Sequence, residues 1–110
     1  YNLKKRFQYL NILEWGATKK ANLIINSTSL GLNKEDKIEI DYKVFEKGSF
    51  FYDVIYNPSE TNFLRLARNH GHKTQNGLLM FMYQAAEAFK TWHKVKPNID
   101  KNLIDYLKND

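Results

Sequence analysis

The chain has 110 residues, 17 Lys and Arg against 12 Asp and Glu for a formal charge of +5, and 43% hydrophobic residues. That length and composition describe one folded domain and exclude a disordered or fibrous chain. With no Cys, a disulfide framework, a thiolate metal site and a cysteine nucleophile are excluded.

No apolar run reaches the roughly 20 residues that span a bilayer, and the basic start YNLKKRF leads into no signal-type apolar segment. A cytoplasmic protein without a membrane partner is the expectation. The first residue is Tyr rather than Met, as expected of a processed or truncated product. The positive charge raises nucleic acid as a partner. Its carriers come in short scattered groups such as Lys4, Lys5, Arg6 and Lys19, Lys20, whereas a nucleic-acid footprint gathers cations on one face among stacking aromatics. A solvated basic surface, with no nucleic acid bound, is expected instead.

In chain order, QYLNILE at residues 8–14 alternates apolar and polar residues and reads as a short strand. Residues 15–20 form a connector or short helix. Residues 22–26 hold the apolar triplet Leu23, Ile24, Ile25, as expected of a strand covered on both faces, and open into Ser27, Thr28, Ser29 and Gly31. Residues 32–48 are polar, interrupted by Ile38, Ile40, Tyr42, Val44 and Phe45, and read as a loop with a short amphipathic turn ending at Gly48. Residues 49–55 are again strand-like, rich in aromatic and β-branched side chains, and Asn57 with Pro58 stops them.

Ser59 or Thr61 can cap a helix running to about Asn69, with Phe63, Leu66, Ala67 and His70 inside and Gly71 as its exit. Residues 73–75 form a short strand and Asn76 caps a long helix. At about 100° per residue, Leu78, Met82, Ala85, Phe89 and Trp92 share one face of that helix. Met80, Gln84, Glu87 and Thr91 share the opposite face, where a Met and an amide replace the charges usual on a solvent stripe. Pro97 and Asn98 break it before a last helix built on Ile99, Leu103 and Leu107. Alternating strands and helices predict an α/β fold with a mostly parallel sheet.

Ligands bind such sheets at the carboxyl ends of the strands. Two candidate sites lie there: NSTSLG after the first buried strand, and YDVIYNPSET, with Asp53 and Tyr56, at the end of the next. Asp53 also reads as a group that satisfies nearby backbone donors. The His70, Gly71, His72 triplet lacks the acidic or thiolate company of a metal site, and His70 and His93 read as helix-end residues. No metal is expected.

NLIINSTSLG at 22–31, YDVIYNPSET at 52–61 and NGLLMFMYQAAEAFKTW at 76–92 occur in the order and at the separations of three patterns in the C-terminal half of shikimate dehydrogenases. The chain resembles that family over residues 8–93. The resemblance implies a partial Rossmann-type doubly wound sheet with flanking helices. Its strands would be the third to sixth and its first βαβ unit would be missing. Residues 1–110 would be the C-terminal portion of a dinucleotide-binding domain plus C-terminal helices.

It also implies NADP as cofactor, with Asn26, Ser27, Thr28, Ser29, Val54, Gly77 and Met80 on the cofactor side. Tyr56 and Gln84 would contact the substrate, shikimate or 3-dehydroshikimate. The pattern departs at Leu79, where the family has a second Gly. No GxGxxG pyrophosphate turn occurs, and the family's catalytic Lys and Asp pair belongs to an N-terminal substrate domain, so no catalytic residue is assigned here. The expected activity is that of an intact parent, reversible NADPH-dependent reduction of 3-dehydroshikimate in the route to chorismate and the aromatic amino acids, with the isolated chain inactive. The alternative is a non-catalytic binding or assembly module that self-associates through an exposed sheet edge.

Overall fold

The computed structural model describes residues 2–108. Within them lie four α-helices, α1 (Asn2–Arg6), α2 (Asn62–Asn69), α3 (Leu78–His93) and α4 (Lys101–Lys108), and three strands, β1 (Leu23–Asn26), β2 (Phe50–Asp53) and β3 (Lys73–Gln75). The strands form one parallel sheet in the order β1-β2-β3. This is the α/β fold with a parallel sheet that alternating strands and helices predict.

Sequence chemistry accounts for the element ends. Thr61, not Ser59, caps α2, its hydroxyl accepting from the Leu64 amide. Gly71 takes the left-handed exit at φ +82°, as a glycine after a helix readily does. At α3 the N-cap position is Gly77, and Asn76 acts one residue earlier, its Oδ1 accepting from the Leu78 amide at 3.2 Å. Asp100 Oδ1 does the same for Leu103 ahead of α4.

The core lies on one face of the sheet. Phe51 is fully buried among Phe45, Phe63 and Tyr42, with ring centroids 5.3, 5.4 and 5.6 Å away, and Leu64 and Ala67 complete the cluster from α2. Burying a side chain of that size contributes about 1.5–3 kcal/mol. The polar segment before β2 therefore does more than connect: its 3-10 turn Tyr42–Val44 drives Tyr42 and Phe45 into this cluster.

Two expectations are corrected. Residues 8–14 form no strand; they are turn and coil, with Tyr9, Ile12 and Leu13 exposed. Alternation alone does not make a strand, because a β ladder needs a neighbour to accept its hydrogen bonds, and no described strand lies alongside. In β1, only Ile24 and Asn26 face the core; Leu23 and Ile25 are 54% and 53% exposed. Their face is open at β1, whereas α2 packs against β2 and β3 on the core side. The short α1 has no counterpart in the expected elements.

The long helix buries only part of its expected apolar face, since Ala85 is exposed and its neighbour Ala86 is buried instead. Leu78, Met82 and Ala86 are buried, whereas Phe89 is partly exposed and Trp92 is 75% exposed. No helix among the described residues is long and apolar enough to cross a membrane.

Candidate functional site

Register brings three loops to one end of the sheet. Asn26 pairs with Asp53 and Tyr52 with Gln75, so the segments beginning at residues 27, 54 and 76 leave the carboxyl ends of adjacent strands. Hydrogen bonds continue past the strand ends: the Val54 amide donates to the Asn26 carbonyl and the Gly77 amide to the Ile55 carbonyl, both at 3.1 Å.

The first loop is shaped from within. Asn26 is buried, and its amide donates to the Leu30 carbonyl at 2.9 Å and to Asp53 Oδ1 at 3.1 Å. Its oxygen accepts from the Thr28 amide and hydroxyl at 3.0 and 2.7 Å, and Thr28 Oγ1 accepts from the Leu30 amide. Asn26 and Thr28 thus fold the loop, while Ser27 and Ser29 stand exposed on its outside. Gly31, at φ +125°, closes the turn where a Cβ would press on Thr61 at 3.0 Å. Beyond it, the Asp36 carboxylate is held below its usual range, first by the backbone hydrogen bond from Gly31 and next by that from Asn33.

The second loop carries Tyr56, whose ring stacks on Phe81 of α3 at 4.6 Å. A cavity of about 440 Å³ opens here, lined by Tyr56, Asn57, Ser59, Asn76, Leu78 and Phe81, with Leu107 of α4 on its rim. The third loop meets the second at Gly77, where an added Cβ would collide with the Val54 carbonyl. Glycine is required there for close approach, not for backbone freedom. Asn76 fastens the same corner, donating to the Ser59 carbonyl at 2.9 Å.

The structure therefore joins Asn26 with Thr28, Val54 with Gly77, and Tyr56 with the first turns of α3. Met80 and Gln84 lie one helical turn apart on the open face of α3, both exposed, and the cavity beside Tyr56 is lined by Leu78 and Phe81 rather than by them. One residue at the site, Phe81, carried no ligand-related signal in the sequence. It looked like one more apolar residue in a helical run, and Asp53, placed at the strand end with Tyr56, also takes a backbone donor as expected, from Ile55. His70 and His72 bond the carbonyls of Leu66 and Tyr42, and among the described residues no cluster of His, Cys, Asp or Glu could hold a metal.

These loops lie on a chain that is 51% identical, over 96% of its length, to the shikimate dehydrogenase (NADP(+)) of Pelagibacter ubique (strain HTCC1062). The chain belongs to the shikimate dehydrogenase family. It spans about 40% of that relative's length. Among solved structures, a shikimate dehydrogenase in complex with NADP+ matches with a TM-score of 0.66 and 38% identity, over 79% of this chain and 29% of the other. Shikimate 5-dehydrogenase from Listeria monocytogenes, in complex with shikimate and NAD, matches with a TM-score of 0.65 and 26% identity, over 81% of this chain and 30% of its own. No protein-family model matches the chain.

Proposed function

We propose that the chain is the C-terminal portion of the dinucleotide-binding domain, with C-terminal helices, of a cytoplasmic NADP-dependent shikimate dehydrogenase. The observation that carries this reading is the convergence of three motif-bearing loops at the carboxyl end of one parallel sheet, where open α/β folds take their ligands. The residues fit a nicotinamide nucleotide. Ser27 and Ser29 present hydroxyls on an internally braced loop, and Gly77, having no side chain, lets the Val54 backbone pack directly against the start of α3. NADPH, when bound, supplies the hydride that reduces 3-dehydroshikimate to shikimate.

In this reading Asn26, Ser27, Thr28, Ser29, Val54, Gly77 and Met80 belong to the cofactor side. Tyr56 donates its phenol to a substrate oxygen, and Gln84 both donates to and accepts from ring hydroxyls. The Lys and Asp that move the proton come from an N-terminal substrate domain.

The test is turnover of shikimate with NADP+ by the whole protein that carries this chain. Tyr56→Phe removes about one neutral hydrogen bond and Gln84→Ala about two, so kcat/KM falls about 2- to 10-fold for the first and about 5- to 100-fold for the second. Turnover untouched by either change removes their roles, and a wild-type protein inert toward shikimate removes the activity itself.

A second reading rests on the open face at Leu23 and Ile25 beside the unpaired edge of β1. In it the chain is an assembly module that pairs with a second copy, since an apolar strand edge is an association site. Its signature is association that depends on concentration without affinity for nucleotide.

A further inference from the structure

We propose that Asp53 is a positioning residue whose carboxylate holds the cofactor-side loop after β1 and the substrate-side loop after β2 in a single arrangement. The inference rests on the functional reading given above and assigns to that site a residue that touches neither ligand.

Asp53 is the last residue of β2 and is 0% exposed. Its Oδ1 accepts from the Asn26 side-chain amide at 3.1 Å and from the Ile55 backbone amide at 3.0 Å, and its Oδ2 accepts from the Thr61 hydroxyl at 2.7 Å. A buried ionised carboxylate is tolerated when such donors surround it. Each donor leads to a different part of the site. Through Asn26 the carboxylate reaches Thr28 and Leu30, hence the loop with Ser27 and Ser29. Through Ile55 it fixes the turn that carries Val54 and Tyr56, and the Ile55 carbonyl receives the Gly77 amide at the start of α3. Through Thr61 it reaches the cap of α2.

One oxygen, Oδ1, therefore serves both ligand loops at once. Besides this group, the Val54 amide bonds the Asn26 carbonyl directly, and farther out the Asn62 side chain at the start of α2 donates to the Lys34 and Asp36 carbonyls. Asp53 is the group whose side chain binds both loops at their bases, so loss of the carboxylate moves cofactor and substrate positions together.

The experiment uses the whole protein with Asp53→Asn, which keeps the volume and one oxygen, roughly halves the strength of the bonds that oxygen accepts by removing the charge and turns the other position into a donor, and Asp53→Ala, which leaves three donors unpaired. Amide hydrogen exchange is read at Thr28, Leu30, Ile55 and Gly77. The controls are Phe50 and Lys73, whose amides bond the Asn22 and Ser49 carbonyls at the far end of the sheet. In Asp53→Asn the four site amides are expected to exchange about tenfold faster while the controls hold their rates, and KM for NADP+ and for shikimate rise together. Asp53→Ala enlarges the same pattern if it folds; the Asn variant carries the test if it does not.

Acceleration confined to Ile55, or any pattern that leaves Thr28 or Gly77 at the wild-type rate, overturns the proposal. So does acceleration at the controls equal to that at the site, which marks a merely structural role, and so does a rise in one KM alone. Because exchange requires no turnover, failure of the shikimate assay and failure of this proposal are read separately.

Discussion

At Tyr42 a single hydroxyl has been buried without a partner among the described residues. Its ring lies between Phe51 and His70, with centroids 5.6 and 5.5 Å away, so the apolar contact outweighs the stranded polar atom. Burial first, and the charge of Asp53 second, push the phenol up to about 12 from an ordinary 10.0. The sign follows from linkage: the folded state favours the protonated phenol, so this contribution is fully present below pH 10 and is lost as pH rises toward 12. Tyr42→Phe is therefore expected to change stability at pH 7 by less than about 1 kcal/mol and to flatten the loss between pH 10 and 12, as denaturant unfolding at each pH would measure. An equal alkaline loss in the variant refutes the assignment. The sequence marks Tyr42 only as an apolar interruption of a polar segment, because what strands its hydroxyl is the arrival of Phe51 and His70 from elsewhere in the chain. Asn26 is a similar case: its place in NLIIN marks a strand end, but its partners Asp53 and Leu30 are set by folding.

Between elements, the junction of the second loop and α3 is a backbone contact. Gly77 sits at φ −80°, where any residue is comfortable, so its necessity comes from the Val54 carbonyl pressed against its Cα. Overpacking of this kind costs about 1–3 kcal/mol. Gly77→Ala is expected to lower the melting temperature of the whole protein and to raise KM for NADP+, since Val54 or the helix start must yield; thermal melts and cofactor titration check it, and both quantities unchanged would refute the contact. Local chemistry announces most of the elements here. Thr61, Gly71 and Asn76 mark where helices begin and end, and the hydrophobic spacing of residues 78–92 predicts α3. Residues 8–14 show the limit, because their alternation is a pattern without a ladder to join, and Trp92, on the predicted apolar face, stands in solvent.

Across the whole molecule the sheet is covered unequally. Phe51, Phe63 and Tyr42 fill one side, while Leu23 and Ile25 occupy an open face at the edge strand. If that face pairs copies of the chain, Ile25→Lys is expected to abolish concentration-dependent association in size-exclusion measurements while leaving helix content unchanged, since Ile25 makes no part of the core. Association that survives the charge, or none in the parent chain, removes the self-pairing reading. By itself the sequence determined the α/β class, most of the helix ends, the family and the three segments that meet at the carboxyl end of the sheet, since each depends on residue type and on neighbours along the chain. Only the tertiary structure decided that β1 buries one face, that Tyr56 meets α3 through Phe81 and that Asp53 binds two loops with one oxygen. Those outcomes depend on which distant groups reach the same space and which donors burial deprives of water, and short-range patterning does not encode either.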